Sequence, residues 1–269
     1  TLKSRFVKTT SKKRFTNRAY VNIFVKDRFK NKMYRQINRS KVSDIKKYKY
    51  SGLSFLLFPK IISSITSENY TNYLQENFYK PLGATTLGFT PKTKNFTNNI
   101  IPTEIDSLFR KDLTKSWVHD ENAALMGGIS GNAGLFGGAL DLAKMMQMYS
   151  NYGYYNFKQY ISKSTLQEFT KTQFPENDNR RGLGFDKPLI GNDTLPINKA
   201  YPAPEVSKES FGHSGFTGTF VWADPTNDLI FIFLSNRVYP SREHRNIYNL
   251  NIRPKVQQVF YQAINKSTK

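Results

Sequence analysis

A short polar segment near the C-terminus combines residue types that could do chemistry. It reads His213-Ser214-Gly215-Phe216-Thr217, and Gly218 follows it. Glycine weakens the interior of a strand, so Gly215 and Gly218 indicate that another group approaches the backbone closely. A strand whose N–H groups face a cleft could bind a carbonyl oxygen and stabilise an oxyanion. The alternative interpretation is a bulged strand that holds a buried, hydrogen-bonded histidine.

Three earlier segments accompany this one in a fixed order. Residues 49–57 place Tyr50 at the start of an apolar stretch, and the glycine-rich residues 128–136 lead into a helical pattern. Residues 181–186 read Arg-Gly-Leu-Gly-Phe-Asp and precede the histidine segment. The glycine cluster is not a Gly-x-Gly-x-x-Gly sequence and follows no convincing strand, so it does not predict a dinucleotide site.

The four segments in this order resemble the serine β-lactamase-like hydrolases, which include class C β-lactamases, low-molecular-weight penicillin-binding proteins and related esterases. The sequence is especially similar to the β-lactamase-like module that follows a family 3 glycosidase-like module in some bacterial envelope proteins. The resemblance runs from about residue 15 to the C-terminus. It implies a small-molecule or peptide-like, cell-wall-derived substrate, a possible fused glycosidase module, and a location in the bacterial periplasm or cell envelope.

The resemblance also implies a role for each matching residue. Tyr50 would be a general base or proton relay if neighbouring cations lower its pKa. His213 stands where the family's strand triad often has lysine, and would give a weaker, pH-dependent positive charge near a substrate carboxylate. Gly215 completes the triad His213-Ser214-Gly215, and the backbone N–H of Phe216 would be the oxyanion donor.

Four further residues are expected to contact the substrate because they flank these groups. They are Ser51, Ser214, Thr217 and His119. The resemblance places His119 on a loop beside the cleft, where a structural hydrogen bond is the alternative to a catalytic role. His119 lacks a histidine partner at metal-ligand spacing, so a metal site is not predicted there.

Two departures from the family pattern concern the chemistry itself. Gly52 stands where the tyrosine motif should have Asn or Asp, a side chain that helps to position the lysine and the substrate. The family's nucleophilic Ser-x-x-Lys lies several tens of residues before the tyrosine, whereas Ser43-Asp44-Ile45-Lys46 ends only four residues before Tyr50. We interpret that string as a chance occurrence in a lysine-rich segment.

The expected activity follows from these departures. We expect the C-terminal portion of a serine hydrolase that cleaves an amide or ester through an acyl-enzyme in the full-length protein. Without the nucleophile helix and the early strands, the chain alone should not acylate. A non-catalytic binding or accessory module next to a glycosidase is the alternative.

Hydrophobic periodicity predicts the elements that position these residues. Residues 18–37 are predicted as an amphipathic helix with a basic face, and residues 50–65 as a turn followed by a buried helix. Further helices are predicted at 70–79, 139–149 and 164–170, with Ser162 or Ser164 capping the last. Residues 90–120 are predicted as a long surface excursion.

The C-terminal sixty residues have the clearest pattern. Residues 211–223 and 229–236 are predicted as a two-stranded hairpin around the turn Asp224-Pro225-Thr226-Asn227-Asp228. A last helix at about 252–264 should place the stripe Val256, Val259, Phe260 and Ala263 across it. The architecture is therefore α/β (α+β), an antiparallel sheet flanked by helices.

We divide the chain into a basic, partly helical segment at 1–48 and a β-lactamase-like domain at 49–269. The domain's helical part covers about 49–170, and its hairpin and last helix cover about 210–266. The two parts are expected to belong to one module.

The charge of the chain is confined to one segment. The net charge is +20, but residues 1–50 contain 17 Lys or Arg and two acids, which gives 17 − 2 = +15. Anion or nucleic-acid binding by this segment is a third hypothesis, with nucleic acid disfavoured because the rest of the chain is close to neutral. With no Cys and three scattered His, neither a metal nor another cofactor is expected.

Overall fold

The computed structural model describes residues 4–42, 44, 48–91 and 99–267. Ser43, Ile45 and Lys46 of the Ser-x-x-Lys string lie outside the described residues. Among the described residues, no helix has the length and apolar character needed to cross a membrane.

The basic N-terminal segment folds as a small sheet followed by a helix. Strands β1 (Val7–Lys8), β2 (Asn17–Tyr20) and β3 (Ile23–Val25) pair antiparallel in the order β1-β3-β2, and α1 spans Phe29–Asn38. The predicted helix at 18–37 was therefore wrong in its first half. Tyr20, Ile23 and Val25 are apolar at spacings that suit a helix or a hairpin, and their burial against other segments selects the hairpin.

The middle of the chain is mainly helical. A 3₁₀ turn at Ser54–Leu57 leads into α2 (Phe58–Thr66), and α3 (Tyr70–Leu74) continues as a π-helical turn at Gln75–Tyr79. The helix predicted at 70–79 is confirmed, and Asn69 caps it by accepting the N–H of Thr71 at 3.0 Å.

Three more helices follow in this part of the chain. They are α4 (Glu121–Leu125), α5 (Ala139–Ser150) and α6 (Lys163–Thr170). The predicted helices at 139–149 and 164–170 are confirmed, and Ser162 caps α6 by accepting the N–H of Thr165 at 3.2 Å. A short hairpin of β6 (Tyr154–Tyr155) and β7 (Lys158–Gln159) separates α5 from α6.

The predicted surface excursion at 90–120 is partly built into the core. It contains the antiparallel pair β4 (Glu104–Asp106) and β5 (Asp112–Thr114). Asp106 and Arg110 form a fully buried ion pair at 2.8 Å, and Asp106 also accepts the backbone N–H of Phe109 at 2.9 Å. These internal hydrogen bonds satisfy the polar side chains, which is why a polar segment can be buried.

The C-terminal sheet has three strands rather than two. Strands β8 (Phe211–Ser214), β9 (Phe220–Asp224) and β10 (Leu229–Phe233) pair antiparallel in the order β10-β9-β8. The predicted strand at 211–223 is thus broken by a turn, because Gly215 and Gly218 allow the chain to reverse there. Gly218 has a φ of +127°, a backbone conformation that favours glycine.

The last two helices complete this layer. A short α7 (Asn246–Asn249) precedes α8 (Ile252–Ser267), which packs against the sheet core of Phe220, Trp222 and Phe231. The predicted apolar stripe is partly confirmed: Val256 packs against this core and the Phe260 ring lies 5.5 Å from the Phe231 ring, whereas Val259 is exposed.

The buried face of α8 is partly polar. Arg253, Gln257 and Tyr261 are buried at i, i+4 and i+8. The Gln257 side chain accepts the N–H of Ala203 at 3.1 Å, and the Tyr261 hydroxyl donates to Asp224 at 2.7 Å. These partners make polar burial tolerable, so the apolar pattern alone could not identify the polar residues of the buried face.

The predicted α/β (α+β) class, with an antiparallel sheet flanked by helices, is confirmed. Helix α5 covers the sheet face opposite α8, where Met146 packs against Phe211 and Ala223. The packing of α5 and α8 on the two faces of the sheet holds β8 in place, and the histidine segment lies at the end of β8.

Candidate active site

The histidine segment lies where β8 ends, beside residues 181–186. Gly212 and Asp186 exchange two backbone hydrogen bonds, at 3.0 and 2.7 Å, which align the two segments. A Cβ at Gly212 would lie 2.1 Å from the Val221 carbonyl oxygen and 2.4 Å from the Trp222 ring. Glycine is therefore required for the close packing that brings Arg181 alongside His213.

Both nitrogens of the His213 imidazole are hydrogen-bonded. Nδ1 lies 2.8 Å from the Ser214 carbonyl oxygen, and Nε2 lies 3.0 Å from Nη2 of Arg181. A carbonyl only accepts and a guanidinium only donates, so Nδ1 carries the proton and Nε2 accepts. In this arrangement the imidazole is neutral.

Arg181 joins His213 to the other side of the cleft. Its guanidinium lies 5.2 Å from the ring centroid of Tyr50, and its Nη1 donates to Asp186. The Tyr50 and His213 ring centroids are 6.3 Å apart, so the two predicted catalytic side chains are brought together.

The electrostatics at Tyr50 differ from the sequence-based expectation. Partial burial raises the pKa of Tyr50 above its ordinary value, although the nearby Arg181 guanidinium acts to lower it. The condition set for a base role, a pKa lowered by neighbouring cations, is therefore not met. A phenol with a raised pKa stays protonated at neutral pH, which suits hydrogen-bond donation rather than proton abstraction.

The turn after β8 leaves the N–H groups of Phe216 and Thr217 without an acceptor among the described residues. Gly215 N–H donates to the Thr219 carbonyl at 2.8 Å, and Gly218 N–H donates to the Gly215 carbonyl at 3.1 Å. Across the described part of the chain, no acceptor lies within hydrogen-bond distance of the Phe216 N–H. An N–H without an internal acceptor is available to a bound oxygen, and the oxyanion role of Phe216 stays a prediction.

Two buried arginines hold the carbonyl side of this turn. Arg253 Nη2 donates to the Gly215 carbonyl at 2.8 Å, and Arg237 Nε donates to the Phe216 carbonyl at 2.8 Å. The Arg237 backbone N–H also donates to the Thr217 carbonyl at 2.8 Å. These three hydrogen bonds hold the carbonyl groups of the turn in place.

The Phe216 side chain is held between a cation and a histidine. Its ring is 4.3 Å from the Arg237 guanidinium carbon and stacks on His119 at 5.7 Å. The residue is 55% exposed, so one edge of the ring faces solvent. His119 thus contacts a residue of the candidate site rather than an unrelated loop.

His119 belongs to a buried polar network. Its Nε2 lies 2.7 Å from Glu104, whose carboxylate also accepts two guanidinium bonds from Arg242 at 2.8 and 2.7 Å. Arg242 continues to Glu121 at 3.0 Å. Burial alone would raise the pKa of Glu104, but the hydrogen bonds from Arg242 and His119 hold it below the ordinary value.

The side of the cleft near Gly52 is filled from another loop. The Asn132 amide nitrogen lies 3.4 Å from the position that a Cβ at Gly52 would occupy. The Ser130 hydroxyl donates to the Asn132 amide oxygen at 2.5 Å, which fixes the orientation of the amide. An amide side chain is therefore present beside the tyrosine loop despite the glycine.

The remaining predicted contact residues have local backbone roles. The Ser51 hydroxyl accepts the N–H of Leu53 at 3.3 Å and supports the tyrosine loop. Ser214 and Thr217 contribute the carbonyls already described. Among the described residues, no three His, Asp or Glu side chains converge as metal ligands would.

Sequence reasoning missed several residues of this site. Arg181 begins the segment Arg-Gly-Leu-Gly-Phe-Asp at 181–186, and its charge could have marked it as a residue of the site. Arg237, Arg253, Glu104 and Arg242 lie far apart in the chain, and no spacing in the sequence links them to the histidine segment.

The fold and the cleft define a protein of the serine β-lactamase and penicillin-binding protein class. A family model described as Beta-lactamase matches residues 13–253. The chain therefore belongs to the β-lactamase family.

Two curated relatives illustrate the sequence similarity. A protein of Escherichia coli (strain K12), described as a candidate D-alanyl-D-alanine carboxypeptidase, is 34% identical over 203 residues, covering 71% of this chain and 45% of the relative. A protein of the same description from Salmonella gallinarum is 33% identical over 222 residues, covering 78% and 49%. The chain thus spans about half the length of these relatives.

Solved structures support the fold. A candidate β-lactamase from Bacteroides dorei DSM 17855 superposes with a TM-score of 0.54 at 12% identity, covering 88% of this chain and 64% of that one. A β-lactamase from Mycobacterium bovis gives a TM-score of 0.52 at 18% identity, covering 81% and 65%. At these identities the likeness concerns the fold alone.

Proposed function

We propose that the chain forms the substrate-binding and oxyanion-donating part of a serine hydrolase that cleaves amide bonds in cell-wall-derived peptides. The observation that carries the proposal is the unpartnered Phe216 N–H at a turn fixed by two buried arginines, within the same cleft as Tyr50 and His213. The carboxypeptidase description of the relatives favours a peptide ending in D-alanine over an ester.

The proposed reaction passes through an acyl-enzyme. A serine oxygen supplied by another part of the full-length protein attacks the peptide carbonyl, and the Phe216 N–H stabilises the oxyanion that forms. As the C–N bond breaks, the proton given up by the serine hydroxyl passes through the Tyr50 hydroxyl to the leaving amine. A water molecule then attacks the ester, which releases the acid and regenerates the serine.

Labelled penicillin tests the division of labour in this proposal. The full-length protein should become covalently labelled and should release D-alanine from diacetyl-L-Lys-D-Ala-D-Ala, whereas residues 1–269 alone should remain unlabelled. Absence of labelling of the full-length protein, under conditions that label a control enzyme, would contradict the hydrolase. Labelling of the isolated chain that disappears in Ser43→Ala would instead identify Ser43 as the nucleophile.

A non-catalytic module beside a glycosidase is the second candidate. Gly52 favours it, because the tyrosine loop lacks its own amide or carboxylate side chain. This candidate predicts that the peptide binds without acylation or D-alanine release in the full-length protein. Both candidates place the protein in the cell envelope, which fractionation of the source bacterium tests.

The basic N-terminal segment supports anion binding as an accessory function. Residues 5–42 contain 13 Lys or Arg, and none of these lies within ion-pair distance of a carboxylate among the described residues. Such charges should retain the chain on heparin with a steep dependence on salt. Retention that survives in a variant with these 13 Lys and Arg residues replaced by Gln would show that the N-terminal segment is not the binding element.

A further inference from the structure

We propose that His119 is a positioning residue, which holds the Phe216 peptide in place for binding an oxyanion and acts through the Phe216 ring rather than on the substrate. The inference rests on the proposed function, because it takes the Phe216 N–H to be the oxyanion donor. It replaces the substrate contact that the resemblance implies for His119 with a contact to the donor residue itself.

The turn that carries Phe216 depends on support from other segments. Gly215 and Gly218 flank it, and glycine permits more backbone conformations than any other residue. The Phe216 ring is 55% exposed, so the protein encloses less than half of it. A donor stabilises an oxyanion well only when it is held in position before the reaction. The contacts that Phe216 does make therefore decide how precisely its N–H is held.

Two side chains contact the Phe216 ring. The His119 ring stacks on it with 5.7 Å between the centroids and 21° between the planes, and the Arg237 guanidinium carbon lies 4.3 Å from its centroid. Arg237 also donates to the Phe216 carbonyl at 2.8 Å. A single methylene group joins the ring to the backbone, so restraining the ring limits rotation of the adjoining peptide. Loss of His119 would remove one restraint on the ring and leave the bond to the carbonyl.

The backbone on both sides of His119 is fixed. The carbonyl of Val118 accepts from Nη2 of the buried Arg110. Asp120 caps α4 by accepting the N–H of Ala123 at 2.7 Å. The His119 side chain is 9% exposed, so it has little freedom left to lose when it packs against the turn. His119 is thus a rigid support for a more exposed residue.

The carboxylate of Glu104 sets the plane of the His119 ring. An ionised carboxylate only accepts, so Nε2 of His119, which lies 2.7 Å from it, carries a proton. Arg242 holds the same carboxylate with two guanidinium bonds, at 2.8 and 2.7 Å, and with its backbone N–H at 3.0 Å. Glu104 therefore cannot turn away without breaking these bonds, and the ring plane that meets Phe216 is set by buried groups.

Two substitutions separate the ring of His119 from its hydrogen bond. His119→Gln keeps an N–H for Glu104 but removes the ring, whereas His119→Phe keeps a ring and removes the bond. A hydrogen bond to a buried charged group contributes more to stability than a ring contact does, so His119→Phe should unfold at the lower urea concentration. Positioning of Phe216 depends on the ring, so acylation should rank the two variants in the opposite order.

Labelled penicillin measures the positioning in the full-length protein. His119→Gln should lower the limiting acylation rate about tenfold, less than the 10²–10³-fold that loss of a whole donor costs. The penicillin concentration that gives half this rate should change little, because the oxyanion exists only beyond the ground state. His119→Phe should retain most of the rate. An unchanged rate in His119→Gln would overturn the proposal.

His244→Gln is the matched control. The His244 side chain is exposed, and its backbone carbonyl, which accepts Nη1 of Arg237 at 2.8 Å, is retained in the variant. The acylation rate of this variant should equal that of the wild type. A loss as large as that of His119→Gln would overturn the proposal, because it would show that acylation responds to histidine substitutions without contact to Phe216.

Phe216→Leu shows whether His119 acts through the ring. This variant keeps the backbone N–H and removes the ring on which His119 stacks. In the Phe216→Leu background, His119→Gln should lower the acylation rate less than about twofold further, because the contact that it breaks is already gone. A full tenfold further loss would overturn the proposal and assign His119 a direct contact with the substrate.

Backbone ¹⁵N relaxation of residues 1–269 tests the positioning without any substrate. The order parameter of the Phe216 N–H should be about 0.85 in the wild type and in His119→Phe, and should fall toward about 0.6 in His119→Gln. An unchanged order parameter in His119→Gln would overturn the proposal. If penicillin does not label the wild-type full-length protein, the proposed function fails, and the order parameters still decide whether His119 positions Phe216.

Discussion

The carboxylate of Glu104 joins three segments that meet beside Phe216. Glu104→Gln is therefore expected to weaken the hydrogen bonds between these segments and to lower the free energy of unfolding. Glu104 is 4% exposed and accepts from the Arg242 backbone at 3.0 Å, from two Arg242 guanidinium nitrogens and from His119. Glutamine has nearly the same shape, so the change removes charge and one acceptor oxygen while leaving no cavity.

The size of the effect follows from these bonds. Hydrogen bonds to a charged group contribute about 1.5–3 kcal/mol each, against roughly 1 kcal/mol for neutral pairs. The glutamine amide nitrogen would also face the Arg242 guanidinium or His119 as donor against donor. Arg242 is 22% exposed and keeps Glu121 at 3.0 Å, which limits the loss. We expect a fall of about 2–3 kcal/mol in the free energy of unfolding at pH 7.

The pH dependence of this difference has a definite sign. The pKa of Glu104 lies below its ordinary value of 4.5 in the folded chain. Its stabilising contribution is therefore complete above pH 4.5 and disappears as pH falls through the lowered pKa. The stability gap between the wild type and Glu104→Gln should stay constant from pH 7 to 6 and close toward pH 3.

Urea unfolding followed by circular dichroism measures both quantities. Glu121→Gln is the control, because Glu121 is 36% exposed and its pair with Arg242 should contribute at most about 1 kcal/mol. A loss for Glu104→Gln no larger than that of the control would refute the reasoning. A gap that persists undiminished at pH 3 would refute the electrostatic origin even if the loss at pH 7 were large.

Three more predictions concern the same cleft. Gly212→Ala should lower the free energy of unfolding in urea by about 1–3 kcal/mol or more, because its Cβ would lie 2.1 Å from a backbone oxygen. In the control Gly138→Ala the Cβ meets its nearest neighbour at 3.5 Å, so the loss should be less than about 1 kcal/mol. Equal losses in the two variants would contradict the packing argument. Arg253→Met should move the amide proton resonance of Phe216 upfield while leaving most other amide resonances in place, and an unmoved resonance would show that the guanidinium does not polarise that peptide. The Tyr50 phenol should titrate above its ordinary pKa of 10. The difference in ultraviolet absorbance between the wild type and Tyr50→Phe measures this titration. Titration below pH 10 would show that Arg181 lowers the pKa of Tyr50 more than burial raises it.

Local patterns predicted the helices that have long, uninterrupted periodicity. The helix at Ala139–Ser150 and the cap at Ser162 depend on residues within a few positions of one another, so the sequence contains the information needed. The segment at 18–25 is different, because its apolar spacing suits two structures and tertiary burial decides between them. The prediction of one continuous strand at 211–223 was wrong for a related reason, because a pair of glycines can either bend a strand or end it.

The sequence predicted only those candidate-site residues that lie in recognisable local segments. Tyr50 and His213 could be identified from the order of the segments. Glu104 and Arg242, by contrast, are 138 positions apart and meet only because the hairpin of β4 and β5 folds back beside the C-terminal loop. Single-sequence periodicity contains no information about such a pair.

The arginines behind the turn explain how a neutral histidine can serve at this place. The peptide between Gly215 and Phe216 is trans, so its carbonyl and its N–H point in opposite directions. Arg253 is 4% exposed and donates to that carbonyl at 2.8 Å, which draws electrons toward the oxygen and strengthens the Phe216 N–H as a donor. The positive charge that assists an oxyanion therefore acts from behind the peptide, through Arg253.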